Sequence, residues 1–182
     1  MLMLLIIVIC GCSKSARKVS YVSDDAASLE SLSSKDETAS MQSKSAQELV
    51  TAGLIYLANE NLRIAELHFA TAINKDPKFV NAYIGLGRIE MIKKNYSAAL
   101  VRFSQARELD SQSVYALTGE ARALRMEGKL NAAIKKINAA MAIDPKDIYV
   151  IKELAMLYDL MGKENLSAPL YQDIITMAPD QA

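Results

Sequence analysis

A period of 34 residues constrains the fold of this chain more than any other feature of its sequence. When Ala46 is numbered position 1, small side chains return in most periods at positions 8, 20 and 27, and large side chains return at positions 4, 11 and 24. Proline stands at position 32 in three of the four periods. Self-similarity at a fixed period is typical of a repeat array, in which each unit packs mainly on its neighbours.

Each period predicts two antiparallel helices, at about positions 1–14 and 18–31. Small side chains let the two helices approach closely, and large ones fill the space between neighbouring hairpins. Proline cannot continue a helix, so position 32 ends the second one. The sequence therefore predicts an all-α solenoid of about four helix-turn-helix repeats, which cover residues 46–79, 80–113, 114–147 and 148–182.

This pattern resembles the tetratricopeptide repeat. The first repeat carries it most completely, through Leu49, Gly53, Tyr56, Ala65, Phe69, Ala72 and Pro77. The fourth repeat departs from it, because Ser167 replaces alanine and Pro169 falls inside the second helix, where we expect it to delay or kink that helix. Without a further polar helix, we also expect apolar side chains of this repeat to be partly exposed or covered by a partner, namely Leu166, Leu170, Ile174 and Ile175.

The first twelve residues predict an export signal. The apolar run Leu2–Ile9 is shorter than the roughly 20 residues that span a bilayer, which favours a signal peptide over a membrane span. It ends in the sequence ICGC, which resembles the lipobox of bacterial lipoproteins. The resemblance implies a signal peptide over residues 1–11, a lipid on Cys12 and, from Ser13, an outer-membrane location with the repeats facing the periplasm. Two other interpretations stay open, namely a free apolar tail with incidental thiols and a Cys-x-Cys metal site.

Residues 12–45 predict a flexible tether. Eleven serines and few large apolar side chains lie in this segment, so it cannot bury enough surface to offset the entropy of ordering it. As a random coil it would reach on the order of 30 Å. The lipid and the repeats are therefore expected at the two ends of a Ser-rich linker.

The resemblance also places the first helix of each repeat on the concave face, with positions 2, 5, 9, 12 and 13 turned outward. The predicted partner-binding groove consists of Leu54, Asn81, Arg88, Met91, Tyr115, Arg122, Arg125, Tyr149, Lys152 and Met156. Val50 and Leu57 are expected to make its first end apolar, and the arginines to make its middle cationic. This suits an amphipathic helix or extended peptide with apolar anchors and a carboxylate. The alternative is that the arginines form ion pairs along the helix surfaces, for example with Glu90 or Glu120.

Few residues of this chain favour catalysis. The 21 basic residues equal the 21 acidic ones, so no overall charge favours nucleic acid. The single histidine, His68, is expected on the exposed side of a second helix, and the acidic residues are expected at solvent-facing positions. The glycines form no phosphate-binding loop. We therefore expect no catalytic residue, metal ligand, cofactor, nucleic acid or small-molecule substrate.

A lipid-anchored repeat array resembles the tetratricopeptide repeat lipoproteins of bacterial envelope machines, such as the TadD lipoproteins of tight-adherence (Tad/Flp) pilus loci. The resemblance implies a scaffold whose partner is a secretin or another component of pilus assembly, including that of type IV pili. Two alternatives stay open. One is an outer-membrane adaptor for cell-wall enzymes, and the other is a cytoplasmic scaffold whose apolar N-terminus is not a working signal.

Overall fold

A computed structural model of the chain describes residues 40–177. The predicted signal peptide, Cys12 and most of the predicted tether lie outside the described residues. The chain divides into two units, residues 1–44 and 45–182. The described part of the first unit contains a helical segment at residues 40–43, and the second unit contains the repeats.

Eight α-helices make up the described part of the second unit. They are α1 (Ala46–Ala58), α2 (Leu62–Lys75), α3 (Val80–Ile92), α4 (Tyr96–Leu109), α5 (Val114–Met126), α6 (Leu130–Ile143), α7 (Ile148–Leu160) and α8 (Glu164–Met177). Consecutive helices pack as hairpins, and each hairpin packs on the next. Every helix from α3 onward begins 34 residues after the helix two places before it, so the predicted all-α class and helix-turn-helix solenoid are confirmed.

Each hairpin turns at position 15 of its repeat, where the backbone is left-handed. The residues in this slot are Glu60, Lys94, Gly128 and Gly162, with φ between 60° and 76°. In each turn the next residue donates its backbone N–H to a carbonyl five residues earlier, as Asn61 does to Tyr56 at 2.8 Å. This bond ends the first helix in the Schellman manner and fixes where the second helix begins.

Three of the four first helices begin at a polar residue whose side chain caps them. Ser45 accepts a hydrogen bond from the Glu48 N–H and donates its own N–H to the Glu48 carboxylate, which forms a capping box for α1. Ser113 and Asp147 accept bonds from the first-turn N–H groups of α5 and α7. Such caps satisfy backbone donors that have no partner inside the helix.

Phenylalanine rings separate consecutive repeats by packing directly on glycine. A Cβ atom added to Gly53 or Gly85 would lie 2.8 or 2.5 Å from the ring of Phe69. Phe103 is held in the same way between Gly87 and Gly119, where the added Cβ would lie 2.7 or 2.5 Å from the ring. Each ring therefore contacts the first helix of its own repeat and of the next one, and both contacts require glycine.

The fourth repeat keeps the phase of the others. Pro169 lies within α8, which nevertheless begins at Glu164, so the predicted delay of this helix is wrong. Pro169 is exposed and stands in the second turn, where it costs the helix one backbone hydrogen bond. Ser167 replaces alanine at a buried slot, and its hydroxyl donates to the Glu164 carbonyl at 3.4 Å.

The exposed apolar surface of α8 is narrower than expected. Leu166 and Ile175 are exposed and Leu170 is half-buried, but Ile174 is buried against the rest of the repeat. Ile174 occupies the slot at which the earlier repeats place a buried alanine. The prediction of exposure is therefore wrong for Ile174.

His68 is buried, which corrects the prediction of an exposed histidine. Its ring stacks on Tyr56 of α1, with the ring centroids 5.2 Å apart. The phase of α2 turns this position toward the first helix of its own repeat, so the imidazole serves the packing of the hairpin.

Within residues 40–177, no helix combines the length and apolar character that crossing a bilayer requires.

Replacing Gly119 with alanine should destabilise the array. The new methyl group would meet the Phe103 ring, and overpacking of this kind costs about 1–3 kcal/mol, against a gain of up to about 1 kcal/mol in helix propensity. We expect a lower free energy of unfolding in urea denaturation followed by circular dichroism. Where Ile137 replaces phenylalanine in the third repeat, larger residues stand at both glycine slots, namely Ala121 at the slot of Gly87 and Glu153 at the slot of Gly119. Adding Phe103→Ile should therefore recover part of the loss. Strictly additive losses in the double variant would contradict the packing described.

Candidate functional site: the groove of the first helices

The residues of the predicted groove lie on the four first helices. Leu54 lies on α1, and the others lie on α3, α5 and α7. Seven of the ten are exposed, namely Leu54, Asn81, Arg88, Tyr115, Arg122, Tyr149 and Lys152, and three are half-buried, namely Met91, Arg125 and Met156. The exposed residues are thus available to a partner, and the half-buried ones help to shape the surface.

A cavity of about 410 Å³ lies along α3 and α5 and brings four of these residues together. They are Arg88, Met91, Arg122 and Arg125. The other lining residues are Ile92, Lys94, Tyr96, Phe103, Gly119 and Met126. We call this volume the central cavity. Its lining combines four cationic side chains with a majority of apolar and aromatic ones, and it includes no carboxylate.

Sequence reasoning missed part of this lining. Phe103 was recognised only through its packing slot, position 24, and Gly119 stands at position 6, which is not among the recurring slots used above. Lys94 lies in a hairpin turn, and Tyr96 is the first residue of α4. The slots of the 34-residue pattern do not indicate this cavity, because Gly119 stands at position 6 and Lys94 in the turn at position 15.

A second cavity of about 260 Å³ lies next to α7 and shares Arg125 with the central cavity. Met156, Asp159, Leu160 and Tyr171 complete its lining. The Tyr171 hydroxyl donates to Asp159 Oδ2 at 2.7 Å. Burial, followed by this bond to a carboxylate, raises the pKa of Tyr171 to about 12. The phenol therefore remains protonated at neutral pH and holds Asp159 as an acceptor.

Five predicted groove residues line neither cavity. Leu54, Asn81, Tyr115, Tyr149 and Lys152 stand apart from both. Tyr115 and Tyr149 occupy the same slot in consecutive repeats and are 66% and 67% exposed. Exposed tyrosines on adjacent helices form a surface that an interaction partner can cover.

Arg125 does not face outward freely, which corrects the prediction for this residue. Its Nε donates a hydrogen bond to Glu153 of α7, and its side chain is only 13% exposed. Arg122 lies 3.7 Å from the other oxygen of Glu153 and remains 55% exposed. The predicted alternative of surface ion pairs is thus partly right, but the acid is Glu153 rather than Glu90 or Glu120.

Two carboxylates within residues 40–177 are buried, although the acidic residues were expected at solvent-facing positions. Glu153 is one of them, and Glu120 of α5 is the other. Arg107 donates to Glu120 at 3.0 and 3.1 Å, and Lys136 approaches its second oxygen at 2.6 Å. A buried carboxylate needs such partners because desolvation otherwise disfavours its charge. These contacts join α4, α5 and α6, and they take up cations that would otherwise be free.

The first end of the groove is less apolar than predicted. Val50 and Leu57 are buried, so only Leu54 of the three apolar residues expected there is exposed. The slots of Val50 and Leu57 turn toward the interior in this repeat, whereas the fourth repeat places Lys152 and Asp159 at the same slots in exposed positions. The groove therefore has its best-formed surface in the second, third and fourth repeats. Among residues 40–177, no three His, Cys, Asp or Glu side chains are grouped so that they could hold a metal ion.

The comparisons with known proteins agree on the fold. The family described as "Tetratricopeptide repeat" matches residues 50–103 and 93–148, which together make up more than half of the chain. No curated protein sequence matches it. A thermophilic tetratricopeptide repeat protein of Thermus thermophilus is 15% identical, with a TM-score of 0.67 over 72% of this chain and 74% of the other.

Two further solved structures have similar folds. PilF of Pseudomonas aeruginosa is 18% identical, with a TM-score of 0.68 over 74% of this chain and 62% of PilF. MamA is 16% identical, with a TM-score of 0.62 over 75% of this chain and 80% of MamA. At these identities the similarity concerns the fold alone.

Removing the carboxylate of Glu153 should destabilise the array. In Glu153→Ala the half-buried guanidinium of Arg125 loses its acceptor, and an unsatisfied group of this kind costs about 1–3 kcal/mol. The matched control is Glu66→Ala, which breaks the more exposed pair between Glu66 and Lys93 and should cost less than about 1 kcal/mol. Urea denaturation of the two variants tests the difference, and equal losses would contradict a structural role for Glu153.

Proposed function

We propose, from the fact that the chain belongs to the tetratricopeptide repeat family, that it is a non-enzymatic scaffold which binds a protein partner in the groove of its first helices. Tetratricopeptide repeats are a fold of protein–protein interaction. We further propose that the protein is a lipoprotein of the outer membrane, faces the periplasm and serves the assembly of a pilus or secretion system.

One observation carries the scaffold role, namely a row of exposed apolar side chains at position 13 of successive first helices. Ile92, Met126 and Leu160 occupy this slot and are 54%, 44% and 58% exposed. Leaving apolar surface in water costs about 25 cal/mol per Å² relative to burying it. Ile92 and Met126 line the central cavity and Leu160 lines the second one. A continuous apolar row beside cavities is the kind of surface that a partner covers.

The chemistry of the central cavity supports a binding role over catalysis. Its lining contains guanidinium, ammonium, thioether, aliphatic and aromatic groups. A general acid–base pair would need groups that titrate near neutral pH, and a nucleophile would need an adjacent base. Arginine and lysine instead bind and orient anionic groups. The cavity is therefore suited to holding part of another molecule.

The anchoring part of the proposal rests on the N-terminal sequence. Cys12 follows a short apolar run and a small residue, as in a lipobox, and the serine-rich segment after it has the composition of a linker. A lipid at Cys12 would hold the array within about 30 Å of the membrane surface. A partner in the same membrane, such as a secretin, would then be met at a high local concentration.

The pilus or secretion role rests on the resemblance to TadD lipoproteins of tight-adherence loci. The architecture that carries it is a lipobox, a Ser-rich linker and four short repeats in 182 residues. The similarity to PilF adds support for the fold of the array only. The expected partner is a secretin or another component of pilus assembly.

Substitution of Cys12 should abolish lipid attachment. The thiol of Cys12 is the predicted acceptor, so Cys12→Ser should remove incorporation of labelled palmitate and release the protein from the membrane fraction. Cys10→Ser is the matched control and should retain the label. Labelling that is unchanged in Cys12→Ser would contradict the lipoprotein assignment.

Deletion of the gene should remove surface pili and leave cell shape normal. Electron microscopy of the deletion strain measures pili, and cell length and width measure shape. Restoring the wild-type gene should restore the pili, whereas restoring Cys12→Ser should not. Altered shape with intact pili would overturn the pilus role and favour an adaptor for cell-wall enzymes.

A further inference from the structure

We propose that the central cavity recognises a segment of the partner protein in which an aspartate or glutamate lies beside a large apolar side chain. This inference rests on the proposed scaffold function and specifies the chemistry of its partner. The carboxylate would bind at Arg88 and Arg122, and the apolar side chain would enter the space between the methionines and Phe103.

Most of the positive charge in the central cavity has no close acidic partner among the described residues. Four cationic residues line it, but Arg125 is already paired with Glu153. Arg88 and Lys94 form no ion pair with any described residue, and both are exposed. Arg122 keeps only the longer 3.7 Å approach to Glu153. The cavity therefore presents an excess of positive charge that an incoming carboxylate can neutralise.

The arginines of the central cavity are suited to binding a carboxylate. A guanidinium group offers N–H donors in a planar fork that matches a carboxylate, so Arg88 and Arg122 suit this ligand. They occupy the same slot, position 9, on adjacent first helices. Two guanidinium groups on neighbouring helices can hold one carboxylate between them. A basic segment would be repelled at the same place.

The apolar part of the lining is suited to a large apolar side chain. Met91, Ile92 and Met126 line the cavity together with Phe103, and Gly119 contributes only backbone to the lining. The volume of about 410 Å³ lies within the range of about 300–1,000 Å³ found for ligand pockets. Methionine side chains adapt to different shapes, so the site is suited to a large aliphatic or aromatic side chain without demanding one particular residue.

The two parts of the site must act together. A carboxylate alone at exposed arginines is weakly bound because water competes with the ion pair. An apolar side chain in the cavity would exclude water beside the arginines and strengthen the charged contact. The inference is therefore that neighbouring acidic and apolar residues are recognised jointly, which separates this site from a surface that binds any anion.

The test uses a display library of random 12-residue peptides, selected on the purified full chain in detergent. The counter-target is Arg88→Glu with Arg122→Glu. The matched control is Arg63→Glu with Lys135→Glu, which changes the charge equally at exposed positions on α2 and α6 that line neither cavity. Circular dichroism checks that each variant is folded. Arg88→Gln with Arg122→Gln replaces the counter-target if the charge reversal unfolds the array.

The inference predicts that the selected peptides carry Asp or Glu close to Leu, Ile, Met or Phe. Their affinity, measured by fluorescence anisotropy, should fall about tenfold or more in the Arg88/Arg122 variant, as expected for loss of a charge-assisted contact. It should be unchanged in the Arg63/Lys135 variant. Replacing the acidic residue of a peptide by its amide should cost a similar factor, and replacing its apolar residue by serine should also weaken binding.

Two other outcomes would overturn the inference, and they separate it from the scaffold function. Selected peptides without an acidic residue, whose binding is lost in Met91→Ser or Met126→Ser, would refute carboxylate recognition and leave the groove as a binding site. The central cavity would be refuted as a binding site if the selected peptides bound equally to both double variants and to the methionine variants. Failure to enrich any peptide over the counter-target would refute it as well. In that case the proposed binding of a partner in the groove fails as well if all groove variants also retain native partners.

Discussion

Two phenylalanine rings, each packed against bare backbone on neighbouring helices, determine how the first three repeats stack. Phe69 and Phe103 lie so close to glycines of two successive first helices that any side chain at those glycines would collide with the ring. The same ring-on-glycine contact thus recurs at the first two interfaces between repeats. The second of these contacts also forms part of the groove, because Phe103 and Gly119 both line the central cavity.

The array changes its packing where the third repeat meets the fourth. Ile137 replaces phenylalanine, Ala121 replaces the glycine of its own repeat, and Glu153 occupies the slot that holds Gly85 and Gly119 in earlier repeats. The smaller aliphatic side chain is accompanied by a buried carboxylate that pairs with Arg125. A buried ion pair is specific in geometry but adds little net stability compared with apolar packing. Here it pairs Arg125 with Glu153 and leaves Arg88, Lys94 and Arg122 as the exposed cations of the central cavity.

The period of the sequence was sufficient to predict the fold, because the slots that repeat every 34 residues are the ones that pack. It was not sufficient to predict which groove residues are free. Arg125 and Glu153 are 28 residues apart, and no periodic pattern indicates that their side chains meet. Val50 and His68 were mistaken for exposed residues because burial at those slots varies from repeat to repeat. Lys94 was missed for another reason, since it reaches the cavity from a turn rather than from a first helix.

The central claim is that the partner binds in the groove of the first helices, and site-specific photocrosslinking in cells tests it most directly. A photoreactive amino acid would replace Met126, which lines the central cavity, or Val101, which is exposed on α4 outside both cavities. The account predicts a discrete crosslinked partner from Met126 and none from Val101. A partner that crosslinks from Val101 and not from Met126 would contradict it.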